Sequence, residues 1–189
     1  MLKGKTVVLG VTGSIAAYKI ANLASMLSKL HADIQVLMTE NATNFINPIT
    51  FETLTGHKCL IDTFDRNFQY SVEHVSLAKK ADVVLVAPAS ANVIGKIANG
   101  IADTSVTMAV KAHLRNQKPV LLAVSTNDGL GTAAKNIGTL LNCKNLYFLP
   151  FSQDDYIKKP NSLVADFEKL PDAAIAAFEG RQLQPVLGF

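Results

Sequence analysis

The sequence predicts a three-layer, doubly wound α/β fold around a parallel sheet. Three observations carry that prediction. Five short apolar runs recur along the chain, helical periodicity fills most of the intervals, and small or polar residues follow where the runs stop. The runs are continuous rather than alternating, as in strands buried on both faces. A chain of 189 residues, 49% hydrophobic and 17% charged, is long enough for one sizeable core and short for two. A single domain over residues 1–189 is therefore expected.

The first run, KTVVLGV (5–11), reads as a strand. From 14 to 30, Ala16, Ile20, Leu23, Leu27 and Leu30 recur at spacings of four and three, which makes an amphipathic helix. DIQVLMT (33–39) is the second strand, and ENATNFINPITFETLTG reads as short helices broken by Pro48 and ended at Gly56. Residues 57–73 mix polar and aromatic side chains without a period and read as an excursion from the core. HVSLAKKA is a short helix, and DVVLVAP (82–88) a central strand ended by Pro88. Helices follow at 91–99 and 104–114, the second with Val106, Ala109, Val110 and Leu114 on one face. KPVLLAV (118–124) is the fourth strand, and 132–142 a helix with Ile137, Leu140 and Leu141 buried. NLYFLP (145–150) is a fifth strand stopped by Pro150, FSQDDYIKKPNS a polar loop, and 171–180 the last helix.

Composition excludes several function classes. The 18 Lys+Arg exceed the 15 Asp+Glu by only three, without a basic run of five, so no nucleic-acid partner is expected. No apolar run reaches the roughly 18 residues of a membrane span, and MLKGKTVVLGVTGS reads as a first strand rather than a signal peptide, so a cytoplasmic protein is expected. Cys59 and Cys143 are too few for a disulfide framework or a thiolate metal site, and Cys143 reads as a buried structural thiol. Asp154 and Asp155 read as solvated loop residues, and no metal is expected.

In an open parallel sheet the ligand crevice lies beyond the carboxyl ends of the strands. The loop after the first strand carries Gly13 and Ser14, where small size and free N–H groups favour an anion; Ser14 either caps the helix or meets a phosphate. The second loop offers Thr39 and Thr43, and the two loops together suit one monophosphate better than a pyrophosphate. Its Glu40 would suit a ribose hydroxyl, but the first-loop spacing is not that of a dinucleotide fingerprint. In the third loop, Pro88-Ala89-Ser90-Ala91-Asn92, small residues leave room for a flat ligand, and Ser90 and Asn92 can bond a ring edge or a carboxylate. The plain alternative is Ser90 as a helix cap with Asn92 exposed.

PASAN after an apolar strand, followed by IGKIANGIADTSVT, resembles the homo-oligomeric flavin-containing cysteine decarboxylases, which include phosphopantothenoylcysteine decarboxylases and lantibiotic decarboxylases. GVTGSIAAYK, MTENATNFINP and the His74-Val75-Ser76-Leu77-Ala78 segment extend the resemblance over roughly residues 5–110. It implies a Rossmann-like flavoprotein fold, FMN as cofactor, and trimers, sometimes joined into dodecamers. It also implies that Gly13, Ser14, Thr39 and Thr43 hold the FMN phosphate and ribityl chain, and that Ser90, Asp103, Thr104 and Ser105 lie near the ring. His74 matches the family's essential histidine, a general base or positioning group, and Asn92 the amide that contacts the substrate carboxylate. The implied activity is FMN-dependent decarboxylation of a cysteine-derived carboxylate, phosphopantothenoylcysteine or a peptide C-terminal cysteine.

The chain departs from that pattern after the fourth strand. The family has Pro-Xaa-Met-Asn there; this chain has Val124-Ser125-Thr126-Asn127-Asp128, keeping the carboxylate-gripping amide at Asn127 and adding an acid. The flap cysteine of phosphopantothenoylcysteine decarboxylases is also missing from FSQDDYIKKPNSLVADF. Residues 113–187 instead resemble the B subunits of dipicolinate synthases, through HLRNQKPVLLAVSTNDGLG, KNLYFLPFSQDD, KKPNSLVADF and EGRQLQPVL. That resemblance implies a non-decarboxylating flavoprotein subunit working with a partner enzyme subunit. A flavin prenyltransferase of related fold is a further alternative. Lys158, Lys159 and Arg181 read as scattered surface charges rather than a site for an acidic substrate.

Overall fold

The apolar runs become strands whose side chains sort alternately onto two faces of one sheet. The computed structural model describes residues 2–61 and 73–188, with backbone alone at 73–75. The strands are β1 (Thr6–Val11), β2 (Asp33–Met38), β3 (Val83–Ala89), β4 (Val120–Thr126), β5 (Leu146–Phe148), β6 (Phe151–Ser152) and β7 (Leu163–Ala165). The helices are α1 (Ala17–Lys29), α2 (Pro48–Thr55), α3 (Glu73–Lys80), α4 (Ala91–Ala98), α5 (Ser105–Arg115), α6 (Ala134–Leu141) and α7 (Leu170–Phe178), with 3-10 turns at Glu40–Asn44 and Phe167–Lys169.

Five strands pair in parallel in the order β2-β1-β3-β4-β5. The chain leaves β1 toward one edge and returns to β3 on the other side, so a topological switch point lies between β1 and β3. Val7, Leu9 and Val11 pack with α1, α2 and α7 on one face, while Val8, Val84, Val86 and Leu122 pack with α3, α4, α5 and α6 on the other. Both layers are therefore filled from every central strand, the three-layer arrangement that continuous apolar runs require. Close packing shows at Gly10, where a β-carbon would stand 2.7 Å from Val106 Cγ1. Pro48 opens α2 rather than interrupting a helix, behind an Asn47 cap, and Gly56 closes it with φ +73°.

Deep in the second layer His113 is fully buried. Its Nδ1–H donates to the Ala78 carbonyl at 2.7 Å, tying α5 to α3. Nε2 has no partner among the described residues. Burial, seconded by the Lys118 charge, holds this imidazole below its ordinary pKa.

Several expectations are corrected. Pro88 does not end its strand: β3 runs through Ala89, with a register shift against β4 between Val86 and Ala89. Pro150 only interrupts, because the chain resumes as β6, which pairs antiparallel with β7; β7 in turn pairs antiparallel with Ser125 and Thr126 of β4. The stretch expected as a polar loop is strand only at Phe151 and Ser152; residues 153–162 are the loop of an antiparallel hairpin that β7 adds to the end of β4. Leu141 is exposed rather than buried, since Leu140 beside it takes the inward face at the end of α6. Cys143 is exposed too, lying past the Asn142 cap where the helix no longer packs; Cys59 is the buried thiol. No helix among the described residues is long and apolar enough to cross a membrane.

Candidate functional site

Three strand-end loops meet at the switch point because short polar contacts hold them together. Thr12, fully buried at the end of β1, donates its hydroxyl to the Pro88 carbonyl at 2.6 Å. The same oxygen accepts from the Ser90 N–H at 3.4 Å, so one side chain joins the first loop to the third. Sequence reasoning passed over Thr12; its only signal was a hydroxyl one residue ahead of Gly13. The Thr39 N–H donates to the Val11 carbonyl at 3.0 Å, joining the second loop to the first. At Gly13 a β-carbon would stand 2.7 Å from Asn41 Cβ and 3.2 Å from its carbonyl carbon, so only glycine permits this approach.

Thr39 is the informative member of this cluster. It sits in extended backbone, 7% exposed, and its Oγ1 has no hydrogen-bond partner among the described residues. A buried hydroxyl without a partner costs about 1–3 kcal/mol, and at the junction of two strand-end loops Thr39 Oγ1 is placed to bond a ligand or an ordered water. Ser14 caps the turn into α1, its Oγ accepting from the Ala16 N–H at 3.3 Å, and its own hydrogen remains available to a ligand. The Thr43 hydroxyl donates to the Glu40 carbonyl at 2.7 Å within the adjoining 3-10 turn.

The remaining expected residues divide by what holds them. Ser90 caps α4, accepting from the Val93 N–H at 3.5 Å, and Asn92 is exposed on the first turn of that helix. Thr104 and Thr107 form a reciprocal cap on α5. Ser105, 1% exposed, places its hydroxyl 3.1 Å from the Met38 carbonyl, tying the start of α5 to the end of β2. Asp103 pairs with Lys96 at 2.7 Å, and that bond holds its carboxyl below the usual range. Asp103 and Thr104 are thus engaged in local bonds and Ser105 in a bond to the end of β2, whereas Gly13, Ser14, Thr39 and Ser90 surround the junction of the loops. His74 stands in the first turn of α3, and its side chain lies outside the described residues.

A cleft of about 290 Å³ opens beside Ser14 and is lined also by Lys19, Thr126, Asn127, Asp154 and Lys159. Ser14 and Asn127, expected from separate loops, thus share one space. The acid after Asn127 does not face a ligand freely: Asp128 Oδ1 accepts from the Thr132 N–H at 3.1 Å, and its carbonyl accepts from Gly131 N–H. Asp128 therefore shapes the turn. Of the three cationic side chains judged scattered, Lys159 lines the cleft, while Arg181 pairs with Glu179 outside it. No cluster of three metal-ligating side chains occurs among the described residues.

Residues 1–165 match the Flavoprotein family. The dipicolinate synthase B subunit of Bacillus subtilis (strain 168) is 36% identical over 197 residues, covering 98% of this chain and 94% of that protein. The coenzyme A biosynthesis bifunctional protein CoaBC of the same organism is 42% identical over 127 residues, 67% of this chain but only 30% of that protein. Among solved structures, the dipicolinate synthase B subunit from Bacillus halodurans C superposes with a TM-score of 0.84 at 34% identity, over 100% of this chain and 98% of that one. The FMN-dependent cysteine decarboxylase SpaF gives 0.78 at 26% identity, over 94% and 99%. The likeness to the dipicolinate synthase protein is not confined to the closing half, where the sequence motifs placed it; it runs nearly end to end.

Proposed function

The chain belongs to the flavoprotein family, and we propose that it is a cytoplasmic, FMN-binding component of a dipicolinate synthase-type enzyme, acting on a small carboxylate with a companion subunit. The observation that carries this choice is the wall of the cleft: the β6–β7 hairpin brings Asp154 and Lys159 and no cysteine, and the preceding loop is a turn built on Asp128. A wall without a thiol lacks the flap cysteine expected of phosphopantothenoylcysteine decarboxylases, and its charges suit a small carboxylate that carries no thiol. The 36% identity over 98% of the chain to a dipicolinate synthase protein supports the same reading.

FMN fits the residues present. The unpartnered Thr39 hydroxyl, the Ser14 hydroxyl and the Gly13 cradle would hold its phosphate and the adjoining chain, with Thr43 beside them. Ser90 would face the ring, while Asp103, Thr104 and Ser105 would support the same pocket from the turn before α5. Bound FMN supplies reversible two-electron chemistry at a planar ring. The chain's part is to orient and to manage protons. The Asn127 amide would hold a substrate carboxylate, His74 would hold or move the proton, and Asn92, exposed on α4, would act across a protomer contact in a trimer or dodecamer. Exposed Ile15, Tyr18, Phe45 and Ile49, on and beside α1 and α2, support a protomer contact through the opposite layer as well.

The test is reconstitution. The purified protein is expected to be yellow, and to form pyridine-2,6-dicarboxylate only when the companion subunit of a dipicolinate synthase is added. The family's cysteine decarboxylation is the second reading, favoured by the match to SpaF across 94% of the chain. Carbon dioxide released from a cysteine-bearing substrate by this protein alone, and lost in His74→Asn, would establish that reading instead.

A further inference from the structure

We propose that Lys159 is the specificity-determining cation for the substrate carboxylate, and that Asp154 holds its place until substrate arrives. The inference rests on the reading of the cleft as a carboxylate site and names the side chain that would select the ligand. Lys159 Nζ lies 3.1 Å from Asp154 Oδ2, and both side chains are about half exposed (45% and 53%). An exposed pair of this kind contributes only about 0–1 kcal/mol, so an incoming carboxylate can replace Asp154 at small cost.

The backbone under this pair is held firmly in relation to Asn127. Ser125 and Thr126 pair with Val164 and Leu163, so the hairpin grows directly from the strand that delivers Asn127. The Leu130 N–H donates to the Asn161 carbonyl at 3.0 Å, closing the Asn127 loop onto the hairpin a second time. At Gly129 a β-carbon would stand 2.6 Å from Leu163 Cγ, so the loop lies flat on β7. Within the hairpin, fully buried Ser162 accepts from the Asp154 N–H at 3.2 Å, and Gln153 donates to the Pro160 carbonyl at 2.8 Å. Asp155 is occupied in the turn, accepting from the Lys158 N–H at 3.1 Å. The amide of Asn127 and the ammonium of Lys159 are thus carried by one tied unit and open on one cleft.

Charge completes the argument. The lining residues include two cations, Lys19 and Lys159, and one anion, Asp154. When a ligand takes the place of Asp154 on Lys159, two ammonium groups are free to bond it in a lining that still carries a net positive charge, which suits a small dicarboxylate. A monocarboxylate gains less from the exchange and is disfavoured by the same device.

The experiment titrates the flavin-loaded protein with pyridine-2,6-dicarboxylate by calorimetry at low ionic strength, with pyridine-2-carboxylate in parallel. Lys159→Gln is expected to weaken the dicarboxylate about ten-fold, the loss of one charge-assisted bond. Asp154→Asn is expected to tighten it, by up to about five-fold, because the internal competitor is gone. Lys158→Gln, which removes an equal charge outside the cleft, is expected to leave it unchanged. A Lys159→Gln protein that binds like wild type overturns the inference, as does Asp154→Asn weakening binding or Lys158→Gln weakening it equally. Wild-type protein that holds flavin but binds no dicarboxylate overturns the carboxylate reading itself, and the inference with it.

Discussion

Thr39→Val separates ligand binding from folding because its two effects have opposite signs. The substitution exchanges a hydroxyl for a methyl group of similar size in extended backbone, at φ −75° and ψ 152°, which valine favours. Without ligand the buried Oγ1 lacks a partner, and removing such a group recovers part of its cost of about 1–3 kcal/mol. A gain of about 1 kcal/mol raises the melting midpoint of a chain this size by about 2–4 °C. With FMN bound, the variant forgoes a hydrogen bond to a charged group, worth about 1.5–3 kcal/mol, or about ten- to hundred-fold in affinity. The assay pairs thermal melts of flavin-stripped protein with FMN titrations followed by flavin fluorescence. A variant that melts lower when stripped, yet binds FMN as tightly as wild type, would refute the assignment of Thr39 to the cofactor.

Three further outcomes follow from the same geometry. Gly13→Ala is expected to lower stability by about 1–3 kcal/mol and weaken FMN, since its β-carbon would press on Asn41 and part the first two loops; unchanged melting and flavin content would count against the cradle. His113, whose pKa is depressed in the fold, gives stability that is complete above the unfolded imidazole range and declines as pH falls through and below it. His113→Gln should flatten that acid limb in denaturant melts followed across pH, and an identical limb would show that His113 contributes nothing to it. Cys143 should react with a thiol reagent in the folded protein, while Cys59, its pKa pushed up to about 12 by burial and Glu52, should react only on unfolding; equal labelling would contradict the packing around Cys59.

The candidate site is partly legible in the sequence. Small and hydroxyl-bearing residues where the first two apolar runs stop marked Gly13, Ser14 and Thr39, because a strand end in a parallel sheet is where a ligand sits. Thr12 was not legible: its value lies in a bond to Pro88, 76 residues away, and nothing beside it in the chain signals that partner. Lys159 reads in the sequence as one of several surface cations, since a run of two lysines does not say which one turns toward a cleft. Leu141 and Cys143 were misplaced for a related reason, as helical periodicity does not say where the last turn stops packing.

The sequence by itself determined the five parallel strands, most of the helices between them and the loops of the candidate site, because continuous apolar runs and three-and-four spacing are written among chain neighbours. Tertiary structure alone decided the order β2-β1-β3-β4-β5, and so which loops adjoin at the switch point. It also decided the β6–β7 hairpin, whose strands of two and three residues are too short to show a period. That hairpin exists because β4 runs past β5 and leaves Ser125 and Thr126 with an open edge that only a distant segment could pair.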